Sequence, residues 1–150
     1  MKKFNYRMQS ILEIKYKLED QEKTNYSIAK MKLNEEEEKL NALLHRRNQY
    51  EESLCMRMNE TLNIIEIKRL QDGIESLKVF IKIQALQVKK AEQAVELAVA
   101  KLNLAMKDRK IQEKLREQAF ETYLKDIELE ERKEVDELVS FSYGKVEPDN

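Results

Sequence analysis

The residues that could do chemistry in this chain are few and isolated. His45 is the only histidine, Cys55 is the only cysteine, and there are two glycines, far apart. A histidine followed by Arg46 and Arg47 is typical of a solvated helix surface rather than of a general base or a metal ligand. Two isolated glycines cannot form a phosphate-binding loop, which needs several neighbouring backbone amides. We therefore expect no catalytic residue, no metal site and no cofactor.

Carboxylates are abundant, and the sequence runs through consecutive glutamates from Glu35 to Glu38. Paired carboxylates act as general acid and base where a dry, concave pocket shifts one of their pKa values. A chain built of long helices offers no such pocket, so this run is predicted to be a solvated helix face. Cys55 has no partner for a disulfide and no metal-ligand spacing, which fits a reducing compartment and predicts a small thiol beside a helix seam or at the surface.

The composition indicates which elements carry these residues. Two glycines and one proline in 150 residues, with 38% charged residues, exclude β-rich and βαβ folds and predict a few very long helices. Lys and Arg (28) nearly balance Asp and Glu (29), so nucleic acid and anionic membrane surfaces are poor partners. No apolar run approaches the length of a membrane span, and no secretory signal is visible.

A heptad pattern dominates the second half of the chain and defines what we call the α2 seam. It comprises Ile67, Leu70, Ile74, Leu77, Ile81, Gln84, Val88, Ala91, Val95, Ala98, Leu102 and Ala105, of which only Gln84 is polar. Such a pattern predicts a helix that packs lengthwise along another helix. The phase passes through Gly73 unchanged, so Gly73 is predicted to be a tolerated glycine inside the helix, at a cost of about 1 kcal/mol.

A weaker seam occupies the first half. It comprises Tyr26, Ala29, Leu33, Glu36, Leu40, Leu43, Arg47, Tyr50 and Leu54, after a phase-shifted stretch with Phe4, Met8, Ile11 and Leu18. Lys15, Glu22, Glu36 and Arg47 occupy seam positions, where charge lowers stability but helps to fix the register. Between the seams, Asn59 can end one helix, while Asn63 and Glu66 can form a capping box for the next.

These signals predict one all-α domain, a long two-helix antiparallel coiled-coil hairpin. The expected bounds are a helix at about 5–58, a turn at 59–63, a helix at about 64–143 and a tail at 144–150. The second helix is longer, so residues from about 119 to 142 are expected to overhang without an antiparallel partner. Apolar residues on such an overhang predict a docking face or self-association through the C-terminal helical end; the alternative is that this end frays.

Both ends of the chain resemble one known family. FNYRMQSILEIKYKLEDQEK, from Phe4 to Lys23, resembles the opening of the flagellar export protein FliJ family, in which an aromatic-x-aromatic-Arg-hydrophobic-Gln stretch leads into a charged helix. EKLREQAFETYLKDIELEERKEVDEL, from Glu113 to Leu138, resembles the charged terminal helix of that family. The chain length, the turn position and Asn48-Gln49-Tyr50 before the turn also agree.

The resemblance implies a non-enzymatic component of the flagellar type III protein export apparatus, similar in shape to the central stalk of rotary ATP synthases. It implies three partners: the flagellum-specific export ATPase, whose ring assembly and activity it would promote, the export gate membrane protein, and flagellar export chaperones. It also implies a cytoplasmic location, peripherally at the inner face of the cell membrane. The alternative is a self-associating coiled-coil scaffold or a stalk protein of a virulence-type secretion system.

The resemblance also suggests which residues bind. The residues expected to contact the ATPase are Phe4, Tyr6, Arg7, Lys110, Lys114 and Arg116. The residues expected to contact the export gate are Tyr50, Leu77 and Phe80. Phe80 lies off the α2 seam and is therefore predicted to be partly exposed. The simpler alternatives are that the cations only solvate the helices and that Tyr50 and Leu77 pack against each other.

Overall fold

The chain folds into two long helices. A computed structural model describes residues 3–60 and 63–145, with α1 at Gln9–Asn59 and α2 at Ile64–Lys145. No strand occurs within these ranges, and the two helices pack against each other, so the predicted all-α helical hairpin is confirmed. Residues 61 and 62 of the predicted turn and residues 146–150 of the predicted tail lie outside the described residues.

Backbone hydrogen bonds mark where each helix begins. The Gln9 amide donates to the Tyr6 carbonyl over 3.1 Å, which places a turn immediately before α1. The Ile67 amide donates to the Asn63 carbonyl over 3.1 Å, so Asn63 opens α2 as its position predicted. Glu66 lies in the first turn of α2, where a carboxylate interacts favourably with the positive end of the helix dipole. It also forms an ion pair with Arg57 of α1.

The chain divides into two compact units, each with parts of both helices. The hairpin unit is Asp20–Leu104, and the terminal unit is Met1–Glu19 with Ala105–Asn150. In the hairpin unit, Glu36 of α1 contacts Gln84 of α2, and Arg57 contacts Glu66. Residue numbers therefore increase along α1 while they decrease along the contacting part of α2, which shows that the two helices are antiparallel.

The core of the hairpin unit follows the predicted seams. Leu33 of α1 packs with Val88 and Ala91 of α2, and Leu40 and Val95 complete this cluster. Every residue of the α2 seam is buried or half-buried, including the polar Gln84. The heptad prediction for α2 is therefore confirmed, and the hydrophobic effect along this seam holds the two helices of the unit together.

The predicted phase of early α1 is wrong. Met8, Ile11 and Leu18 are exposed, whereas Leu12 and Glu19 are buried. The seam of α1 continues backward from Tyr26 in steps of four and three through charged residues, and it does not shift to the more apolar face. The reason is that α1 keeps one helical phase along its length, so the face that meets α2 is set by geometry and not by local hydrophobicity.

Candidate partner-binding surfaces

Aromatic rings hold the residues that precede α1 against α2 in the terminal unit. Phe4 lies 5.1 Å from Phe120, edge to face, and 5.3 Å from Tyr123, between ring centroids. The guanidinium carbon of Arg116 lies 5.6 Å from the Phe4 centroid, within the range of a cation–π interaction. We call Phe4, Phe120 and Tyr123 the terminal aromatic cluster; pairs of this geometry stabilise beyond their buried area.

This cluster corrects the predicted start of the overhang. Phe120 and Tyr123 were expected to have no partner within the chain, but both contact Phe4. The prediction considered only contacts between the two helices. The segment before α1 also packs against α2, and it extends the packed region. From residue 128 to residue 144 every side chain is exposed.

Charged and polar side chains form a network between the helices of the terminal unit. Glu19, only 5% exposed, accepts a hydrogen bond from Arg109. Arg109 also donates through Nη1 to Glu113 over 3.0 Å, and the Tyr16 hydroxyl donates to Glu113. The hydrogen bond from Tyr16 lowers the pKa of Glu113, and the same bond raises the pKa of Tyr16. Lys15 adds an ion pair with Asp108 at 3.8 Å.

A single polar pair interrupts the apolar seam of the hairpin unit. Gln84 Nε2 donates to the Glu36 carbonyl over 3.0 Å and to the Glu36 carboxylate over 2.5 Å. Lys32 and Lys39 lie 3.0 and 3.6 Å from the other carboxylate oxygen. The hydrogen bonds from Gln84 and then Lys32 lower the pKa of Glu36 to about 2. The one polar residue of the α2 seam therefore meets a charged residue of the α1 seam.

The Tyr50 ring packs closely against Gly73. A methyl group at Gly73 would lie 2.8 Å from Cε2 of the Tyr50 ring, closer than nonbonded carbons approach. The guanidinium carbon of Arg46 lies 5.9 Å from the centroid of the same ring. Gly73 is inside α2, as predicted, and any larger residue at this position would require the Tyr50 ring to move.

The protein-family model described as Flagellar FliJ protein matches residues 4–147 of the chain. The chain belongs to the FliJ family. It is therefore a component of the flagellar export apparatus. No curated protein and no solved structure gives a significant match.

The described helices of this FliJ-family chain contain neither a membrane span nor a metal cluster. Within residues 3–60 and 63–145, neither helix contains a stretch apolar enough to cross a bilayer. The same part of the chain contains no cluster of three or more His, Cys, Asp or Glu side chains suited to a metal ion. Cys55 is exposed.

The six residues expected to bind the ATPase all lie in the terminal unit of the FliJ-family chain. The structure brings Phe4 and Arg116 together, and Arg116 Nε also donates to Gln9 over 3.1 Å. Arg116 thus helps to hold the segment before α1 in place. Tyr6 is half-buried. The remaining three, Arg7, Lys110 and Lys114, are exposed cations.

The three residues expected to bind the export gate have different environments. Leu77 is buried in the seam, Tyr50 is half-buried against Gly73, and Phe80 is 56% exposed. The predicted exposure of Phe80 is confirmed. Among the three, Phe80 alone presents a large apolar surface that a partner can cover.

Sequence reasoning missed the Glu19–Arg109 contact. The signal was present, because continuing the heptad phases of both helices into the terminal unit places Glu19 and Arg109 at seam positions. A charged residue on one seam and an opposite charge on the other then predicts a pair. The pair is predicted only when the heptad phase of each helix is kept unchanged where its seam positions are charged.

Proposed function

We propose that this FliJ-family chain is a stalk-like coiled coil that binds the ring of the flagellum-specific export ATPase and promotes its assembly and activity. It also links the ring to the export gate membrane protein and to flagellar export chaperones. In this proposal it works in the cytoplasm, peripherally at the inner face of the cell membrane. The family match favours the flagellar system over a virulence-type one.

The terminal aromatic cluster is the observation that supports the ATPase contact. It fixes the segment that carries Arg7 onto α2, so Arg7, Lys110 and Lys114 are presented by a folded unit. Cations held in this way attract an acidic surface with little loss of side-chain and backbone freedom on binding. A chain that binds one arrangement of the ring subunits better than the others shifts the ring toward that arrangement.

The ATPase contact can be tested by charge reversal. We expect Arg7→Glu with Lys114→Glu to lower ATPase stimulation at least tenfold while helical content and thermal stability stay unchanged, because both side chains are exposed. Lys107→Glu, an exposed lysine of the same unit, is the matched control and should keep stimulation. Full stimulation by the double variant would refute the assigned site.

The exposure of Phe80 supports a gate contact in the hairpin unit, since aromatic anchors dominate many protein interfaces. We expect Phe80→Ala to weaken gate binding and swimming motility without changing the melting temperature. Met31→Ala removes another exposed apolar side chain of the same unit and should leave binding intact. Unaltered gate binding by Phe80→Ala would contradict the anchor role.

A second candidate function is a self-associating scaffold. The exposed apolar residues Leu129, Val135, Leu138 and Val139 near the end of α2 favour it. A scaffold would form oligomers that disappear when residues 128–145 are removed, and it would leave the activity of the ATPase unchanged. Stimulation of the ATPase by a monodisperse protein would exclude this candidate.

A further inference from the structure

In the hairpin unit, α2 carries a second apolar face opposite its seam. Each of its residues follows a seam residue by two positions, which is more than half a turn of helix. We call this set the back-face stripe; it comprises Val79, Ile83, Leu86, Leu97, Ala100 and Leu104. Its five large side chains are between 51% and 61% exposed. A helix with one partner normally has a polar outer face, so this stripe indicates a second contact.

The spacing of the stripe is that of another heptad seam. Its positions are separated by four and three residues alternately, and the two central positions are Lys90 and Gln93. Sustained spacing of this kind is typical of a face that packs along a helix. The occupant is therefore expected to be helical, not an extended peptide or a small molecule.

The order of residues along the stripe identifies the occupant. We propose that the back-face stripe binds the same stripe of a second copy, antiparallel, about a two-fold axis between residues 91 and 92. This arrangement places Val79 opposite Leu104 and Leu86 opposite Leu97 of the second copy. Ile83 then meets the small Ala100, and one isologous surface serves both copies.

The charges beside the stripe agree with this register. Residues 76–91 contain Lys78, Lys82, Lys89 and Lys90 and no acid, whereas Glu92 and Glu96 follow directly. In the antiparallel pairing Lys89 lies beside Glu96 of the second copy, and the symmetry repeats this pair. A parallel pairing would instead put the two copies of Lys90 in one layer, where like charges repel.

The size of the contact predicts a dimer that dissociates on dilution. The stripe covers roughly 38 Å of helix at about 1.5 Å per residue. A single helix-to-helix strip of that length falls at the low end of specific protein interfaces. Phe80 borders the stripe, so dimer formation and the proposed gate contact would compete for this side of α2.

Sedimentation or light scattering across a range of concentrations tests the proposal. With rising concentration we expect the average mass of the wild-type chain to rise from 17.9 kDa toward twice that value. The Leu97→Glu variant should stay monomeric at every concentration. Met31→Glu, an exposed α1 residue of the same unit, should dimerise normally, and circular dichroism should show that both variants stay folded. A wild-type chain that is monomeric throughout, or a Leu97→Glu variant that still dimerises, overturns the proposal.

Charge exchange tests the register. Lys89→Glu and Glu96→Lys should each weaken the dimer severalfold, because each places like charges side by side, and the double variant should regain wild-type dimerisation. In a parallel dimer Lys89 would not face Glu96, so the double variant would show no rescue. Absence of rescue overturns the antiparallel arrangement.

Disulfide trapping tests the orientation directly. In a Cys55→Ser background, Ile83→Cys with Ala100→Cys should form covalent dimers under mild oxidation. Ala100→Cys alone should not, because its two copies would be about 26 Å apart along the helix. Covalent dimers from Ala100→Cys alone, or none from the double variant, would overturn the proposal.

Discussion

The two units place polar residues between their helices in different ways. In the hairpin unit one pair, Glu36 and Gln84, sits within apolar layers. In the terminal unit Tyr16, Glu19, Arg109 and Glu113 form a connected network. The first arrangement draws its stability from apolar burial and uses the polar pair to fix the register. The second adds ion pairs to the packing of Leu12 and the terminal aromatic cluster, so it should respond more strongly to salt.

The largest expected effect comes from the apolar layers of the hairpin unit. Leu77 is one of its most buried residues, and we expect Leu77→Ala to cost about 2–4 kcal/mol through lost burial and the cavity left behind. Urea denaturation measures this loss. Phe80→Ala, three residues away on the surface, should change the free energy of unfolding by less than about 0.5 kcal/mol. Equal losses for Leu77→Ala and Phe80→Ala would show that burial in the seam does not dominate the stability of the hairpin unit.

The polar pair should be the next most sensitive feature. Gln84→Met keeps the size of the side chain but removes both hydrogen bonds to Glu36. We expect a loss of about 1–3 kcal/mol, because a buried acceptor is left without its donor. Replacing both partners, as Glu36→Leu with Gln84→Leu, should recover the stability. A double variant less stable than Gln84→Met would contradict this account.

The pH dependence of stability tests the same pair. The folded pKa of Glu36, about 2, lies below its ordinary value of 4.5. The stabilisation is therefore fully present above about pH 5 and is lost as the pH falls from 4.5 toward 2. As the pH is lowered from 6 to 2, the melting temperature should fall steeply for the wild type and less for Gln84→Met. A carboxyl resonance of Glu36 that titrates near 4.5 would refute the assignment.

The network of the terminal unit should give a smaller, salt-dependent effect. Arg109→Gln keeps one donor for Glu19 but loses the cation that pairs with both carboxylates. We expect faster amide hydrogen exchange in residues 9–19 and 105–123, with the difference from wild type shrinking as salt is raised. The same substitution should leave exchange around Leu33 unchanged. A difference that is independent of salt would show that packing, not charge, is lost.

The smallest expected effect concerns Gly73. Gly73→Ala gains up to about 1 kcal/mol of helix propensity, but the new methyl group forces the Tyr50 ring to move. We therefore expect no gain, or a small loss, in the wild-type background and a gain of about 1 kcal/mol in a Tyr50→Ala background. A double-mutant cycle from thermal melts measures this coupling. Equal effects in the two backgrounds would disprove the contact.

The fold could be predicted far into α2 because its apolar spacing is long and unbroken. The same reasoning placed Gly73 within the helix and Phe80 on the surface, and both positions agree with the structure. It failed around the start of α1, where Met8, Ile11 and Leu18 are exposed and the buried or half-buried positions include Lys15 and Glu19 beside Leu12. Hydrophobicity identifies a seam only where burial supplies the stability. Where ion pairs supply it, the helical phase is the better guide.

Composition and periodicity, read from the sequence alone, determined two long helices, their antiparallel pairing and the α2 seam, since these follow from local propensity and a repeated spacing. Only the tertiary structure decided that Gln84 meets Glu36, that the Tyr50 ring lies against Gly73, and that Phe4 extends the packed region to Tyr123. Each of these is a contact between residues distant in sequence. Such contacts depend on the register of one helix against the other, and the register is fixed only when both helices are packed.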